Sequence, residues 1–152
     1  MKTRIIIDKV EPAGYRAVLG LEKFIESTPL TRNHKDLIKI RSSQINGCAF
    51  CIDMHTKEAR KAGETEQRIY ALNAWRGTPF FSEEERAILA LTEEVTLISG
   101  HVQDETYEKA AQVLDETYLA QVILAIITIN VWNRIAVSTR QALPGQDHEA
   151  KS

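Results

Sequence analysis

The chain has 152 residues, 43% apolar and 26% charged, which suits one compact domain with a hydrophobic core and excludes a disordered polymer. A formal net charge of −2 and the lack of any basic block exclude a general nucleic-acid binder, which must neutralise phosphates. The first residues, "MKTRIIIDKVEP", hold only three consecutive apolar side chains before Asp8, too few for a signal peptide. The most apolar stretch, "YLAQVILAIITINVWNRIAV", is broken by Gln121, Asn130, Asn133 and Arg134, so a membrane span is not expected. A cytoplasmic protein is the expectation, and there a closely spaced cysteine pair reads as redox or metal chemistry rather than a structural staple.

In chain order, helical signals dominate. "RIII" is the one β-like run and is too short to found a sheet. Pro12 is suited to open a helix through "AGYRAVLGLEKFIES", with Pro29 closing it. Thr31 caps a second helix, "RNHKDLIKIRSSQ", and Asn46-Gly47 gives its turn. A third, "CAFCIDMHTKEARKA", runs to Gly63, and Thr65 opens "EQRIYALNAW". Ser82 with Glu85 forms a capping box before a helix with Ile88, Leu91, Val95 and Ile98 at helical spacing, ended by Gly100. A short helix around "DETYEKAAQVL" leads to a long one from about Tyr118 to Gln141. The fold expected is all-α: a single-domain bundle of about seven helices over residues 1–143, followed by a flexible tail, 144–152.

The only two cysteines are Cys48 and Cys51, with His55 four residues further on. On a helix of 3.6 residues per turn the three lie at about 0°, 300° and 340°, so they share one face. Cα atoms at i and i+3 are about 5 Å apart, within disulfide range. Cys48 is expected in the first helical turn, where free N–H groups favour a thiolate, and His55 lies within reach of the Cys51 proton. If the second and third helices form a hairpin about Asn46-Gly47, Asp36 and His55 are each roughly 12 Å from the turn and face one another. A carboxylate there would orient the imidazole and strengthen it as a base.

Two blander readings stand beside this one. The cysteines can be small buried hydrophobes, or Cys48, Cys51 and His55 can ligate zinc with Asp36 or His34 as the fourth donor. Haem attachment is excluded because Ile52, not histidine, follows Cys51, and a thioredoxin fold because the flanking βαβ pattern is missing. Asn130, Asn133 and Arg134 are read as interhelical hydrogen-bonding groups, with Arg134 paired to a carboxylate. Tyr70 and Trp75 are read as core or interface aromatics, and His34, His101 and His148 as surface residues.

The segment "SQINGCAFCIDMHTKEARKAGETEQRIYALNAWRGTPFFSEEERAILAL" resembles the alkylhydroperoxidase D-like branch of the carboxymuconolactone decarboxylase superfamily, strongest from Asp36 to Thr92, with a weaker echo in "INVWNRIAVSTR". The resemblance implies an all-helical, oligomeric, thiol-dependent peroxidase, trimeric or hexameric, that needs no haem, flavin or metal. It implies Cys51 as the residue that attacks a hydroperoxide substrate, Cys48 as the resolving cysteine and His55 as part of a proton relay. A thiol reductant or reducing protein partner would restore the dithiol. The relay carboxylate of that branch is a glutamate twelve residues before the first cysteine; here Asp36, one methylene shorter, stands there, which favours a bridging water over direct contact. The decarboxylase branch lacks the cysteine pair, which disfavours decarboxylation. The alternative activity is thiol–disulfide exchange with partner proteins. "VILAIITI", apolar nearly all round from Val122 to Ile129, points independently to a homo-oligomer.

Overall fold

A computed structural model describes residues 2–143 and 145. The tail expected over 144–152 lies outside the described residues but for Gly145. Among the described residues there are eight α-helices, two 3-10 turns and no strand. The run "RIII" is not a strand: Ile7 begins a one-turn helix, α1 (Ile7–Val10). Just before it, the Arg4 backbone N–H donates to the Thr139 carbonyl at 2.8 Å and its guanidinium to Ser138 O at 3.1 Å, so this segment lies across the end of the last helix.

Pro12 takes the first position of α2 (Pro12–Ser27), where its missing N–H costs nothing. Thr31 caps α3 (Arg32–Asn46), its hydroxyl accepting from the His34 N–H at 3.2 Å. α4 (Ala49–Lys61) folds back from α3. Thr65 opens α5 (Glu66–Ala71), which tightens into a 3-10 turn, Leu72–Gly77, instead of continuing as one helix. The capping box of α6 (Glu83–Thr96) is present in both directions: Glu85 N–H donates to Ser82 Oγ, and Ser82 N–H to Glu85 Oε2 at 2.8 Å. That helix stops at Thr96, earlier than Gly100, because a 3-10 turn at Ile98–Gly100 completes the stretch. α7 (Asp104–Val113) and α8 (Glu116–Thr139) follow, the latter capped by the Asp115 carboxylate accepting from Tyr118 N–H at 2.9 Å.

α8 is the axis of the bundle. Its Leu119, Val122, Ile126 and Ile129 pack with Ile25 of α2, Ile38 of α3, Ile88 and Leu91 of α6, and Ala110 of α7. A second core lies under the 3-10 turn, where Leu37, Ile40, Ala59, Leu72, Trp75, Phe81 and Leu89 meet. Trp75 is thus a core aromatic, whereas Tyr70 is largely exposed. α8 is long and apolar enough to cross a membrane by length and composition, but half of its apolar window is buried as this central core element.

The polar residues inside α8 knit the helices together. Asn46 Nδ2 donates to Asn130 Oδ1 and Asn133 Oδ1, both at 2.9 Å. Asn130 Nδ2 donates to Thr96 Oγ1 at 3.0 Å, and Asn133 Nδ2 to Ser43 Oγ at 3.0 Å. Arg134 also joins this network, but its partner is not the expected carboxylate: its guanidinium donates to Asn130 Oδ1 at 2.7 Å and Asn130 O at 3.2 Å. Each amide is answered by a partner that differs in position along α3 or α6, so the set fixes how far α8 can slide or rotate. Asn133 is fully buried, and Asn133→Ala leaves the Asn46 amide short of an acceptor and Ser43 short of a donor. That substitution should cost about 1–3 kcal/mol, seen as a lowered urea midpoint with an unchanged slope.

Candidate active site

The site begins at the end of α3. Gly47 sits in the left-handed region at φ 64°, donating to Gln44 O, while the Cys48 N–H donates to Ser43 O at 3.0 Å. These paired bonds close the helix and turn the chain sharply back, a conformation that glycine adopts without the cost a Cβ imposes. The clamp on Asn46 holds this same turn against α8. α4 therefore starts from a fixed point, and the expected hairpin of α3 and α4 is present.

Cys48 is the N-cap of α4 rather than a member of its first turn (φ −83°, ψ 93°), and its sulfur accepts from the Cys51 N–H at 3.3 Å. Cys51 is the third helical residue and is the cysteine that occupies the first turn, where the helix field favours a thiolate. The two are joined as a disulfide with Cα atoms 5.3 Å apart, matching the separation their spacing implies. Both are buried, 1% and 2% exposed, against Ala136 of α8 and the half-buried Phe50.

His55 lies one turn beyond Cys51 and is also buried. Its Nδ1 is 3.1 Å from Glu58 Oε2, a contact between residues on consecutive turns of α4. Burial pushes the imidazole below its ordinary pKa, the Lys39 ammonium pushes the same way, and Glu58 and Glu22 oppose them. His55 is therefore held neutral, able to accept a proton. Lys39 is itself fixed by Glu22 at 2.9 Å and Glu26 at 3.0 Å, and Trp132 Nε1 donates to the other Glu22 oxygen at 3.1 Å. These carboxylates outweigh desolvation and hold the Lys39 ammonium above its usual pKa.

Asp36 is on the same hairpin, but its carboxylate is bonded to Arg32 Nε, at 2.9 and 2.8 Å, one turn back along α3. Burial raises its pKa, with Arg32, Lys39 and His55 acting against the rise. The direct bonds of the pair thus run from Asp36 to Arg32 and from His55 to Glu58, and no direct bond joins Asp36 to His55. An arginine four residues back lies on the same helix face, within reach of the short aspartate. Asp36 also lines a cleft of about 490 Å³ with Arg32, Asn33, Ala59, Arg68 and Glu85.

Among the described residues, no group of three or more His, Cys, Asp or Glu is disposed to hold a metal ion. His34, a candidate zinc donor expected at the surface, is buried, with Nδ1 2.7 Å from the Tyr118 hydroxyl. The spacing of Cys48, Cys51 and His55 was visible in the sequence; Glu58 carried a signal too, standing three residues after His55 on the same helix. Lys39 and Glu22 carried none, since only tertiary packing brings α2 against this part of α3. Chemically, the assembly offers a reversible dithiol at a helix start and a neutral imidazole one turn away.

The chain is similar in sequence and fold to known proteins. A profile of the carboxymuconolactone decarboxylase family matches residues 12–94. The uncharacterised protein YdfG of Bacillus subtilis is 47% identical over 139 residues, spanning 91% of this chain and 95% of that one. The crystal structure of ATU0492 from Agrobacterium tumefaciens, a protein of unknown function named as a candidate AhpD antioxidant-defence protein, superposes with a TM-score of 0.91. It is 41% identical over 94% of this chain and 99% of its own. The debrominase Bmp8, solved with 2,3,4-tribromopyrrole, shares the fold at a TM-score of 0.81 and 20% identity, over 90% of this chain and 74% of its own. The chain belongs to the carboxymuconolactone decarboxylase family and has the AhpD-like helical fold.

Proposed function

We propose that the protein is a cytoplasmic thiol-dependent peroxidase that reduces hydroperoxides through Cys51 and Cys48. The observation that carries this reading is the Cys48–Cys51 disulfide at the start of α4, with the buried His55 one turn away. His55 takes the Cys51 proton, and the thiolate attacks the distal oxygen of ROOH, breaking the O–O bond. The sulfur becomes a sulfenic acid, and the proton returns from His55 to the departing alkoxide, giving ROH. The Cys48 thiol then displaces water from that sulfenic acid to form the disulfide. Two electrons pass from the thiols to one peroxide, and an external dithiol returns them.

Burial favours this over disulfide exchange with protein partners. Cysteines only 1% and 2% exposed are reached by a small peroxide more readily than by the surface of another protein, which must first open the site. Support also comes from the likeness to the Agrobacterium antioxidant-defence candidate.

We further propose that the chain works as a homo-oligomer. An apolar cleft of about 530 Å³ runs between α6, α7 and α8, lined by Val95, Ile98, Tyr107, Ile123 and Ile127, and Ile98, Tyr107 and Ile127 are substantially exposed. A hydrophobic face of this kind is suited to burial by another subunit.

One peroxide should be consumed per disulfide formed, and mass spectrometry showing two free thiols after excess peroxide would sink the proposal. Cys51→Ser should abolish the reaction, while Cys48→Ser should react once and leave a sulfenic acid at Cys51 that a trapping reagent labels. Label at Cys48 in Cys51→Ser would instead reverse the roles. His55→Ala should slow the oxidation by roughly 10²–10⁴-fold, measured as single-turnover thiol loss. Sedimentation equilibrium should give a mass above 17.2 kDa at micromolar concentration; a monomer contradicts the assembly.

A further inference from the structure

His55 requires its ring to be held in one orientation and one tautomer, because only an unprotonated nitrogen aimed at the thiol can act as the base. Its Nδ1 is within hydrogen-bond distance of Glu58 Oε2, at 3.1 Å. A carboxylate accepts and does not donate, so the contact places the proton on Nδ1. The remaining nitrogen, Nε2, is then free to accept and is directed away from Glu58. The Glu58 side chain is 46% exposed while that of His55 is 8% exposed, so the pair also joins a buried ring to bulk water.

Among the described residues, no other carboxylate has this contact. Three further charged groups act on His55: Lys39 and Asp36 from α3, and Glu22 from α2. Lys39 is engaged with Glu22 and Glu26, and Asp36 with Arg32. Arg32 lies in the field of Glu58 as well, which keeps a cation beside both carboxylates. We propose that Glu58 is the positioning residue of the site: it fixes the Nδ1–H tautomer of His55 and leaves Nε2 as the base, a task that Asp36 does not perform in this chain. The inference deepens the peroxidase reading and rests on it for its purpose, but not for its test.

The test is ¹⁵N NMR of the imidazoles in the full-length, reduced protein, with the His55 signal assigned by its loss in His55→Gln. Wild type should show Nδ1 protonated and Nε2 bare above the titration midpoint. Glu58→Ala should populate the Nε2–H tautomer and lower the midpoint, since a carboxylate that stabilised the imidazolium is gone. Glu58→Gln should keep the Nδ1–H tautomer, its amide oxygen still accepting, and yet lower the midpoint. Asp36→Asn should move the ring less than Glu58→Ala does. Wild-type tautomer and midpoint in Glu58→Ala would overturn the assignment, as would a larger change in Asp36→Asn. The ring is observed without peroxide, so a protein that fails to reduce peroxides leaves this result standing or falling by itself.

Discussion

The bidentate clasp of the Asn46 amide by Asn130 and Asn133 is the constraint on which the site depends. Helix propensity alone does not say where α3 should stop. A half-buried amide with two matched acceptors on the buried Asn130 and Asn133 of α8 does, because any other end point leaves those polar groups without this partner. Gly47 then turns the chain in the one conformation that satisfies the last carbonyls of α3. The dithiol follows immediately. Its position relative to α8, down to the contact with Ala136, is inherited from a polar contact one residue before the turn.

The electrostatics of the site follow from the same packing. α3 places Lys39 and Asp36 on the side that meets α2 and α4, so one ammonium and several carboxylates share a poorly hydrated region with an imidazole. Burial disfavours the charged form of each. Lys39 escapes by pairing with Glu22 and Glu26, and Asp36 is partly rescued by Arg32. For His55, burial and the nearby Lys39 ammonium outweigh the half-exposed Glu58 together with Glu22, and the balance favours the neutral form. A neutral imidazole beside a helix-start thiol is an acceptor without a proton of its own, which is what deprotonating a cysteine needs.

Much of the fold was legible because its signals are local. Pro12 marks a helix start by its fixed backbone, Thr31, Thr65 and the Ser82–Glu85 box mark starts whose caps are satisfied within three residues, and Gly47 marks a turn whose bonds lie within five. What escaped was set by distant chain. The hydrophobic period of α6 runs on to Ile98, but the backbone tightens after Thr96, whose hydroxyl is drawn to Asn130 and Ser42. At the site, Cys48, Cys51 and His55 were readable from helical spacing alone. Asp36 was placed on the same hairpin as His55, but the direct partners of the two, Arg32 and Glu58, were not read, because hairpin geometry fixes a backbone level and not which neighbour a short side chain meets. His34 gave no sign of burial, since its partner Tyr118 stands 84 residues away.

The segment from Asn46 to His55 is a ruler marked in single residues. Adding or removing one residue after the clasp rotates everything beyond it by about 100°, which would carry a sulfur or the imidazole off the face they share. Lineages descended from this chain should therefore keep a constant count from Asn46 to His55. A relative that breaks the count should be expected to have given up the dithiol chemistry as well.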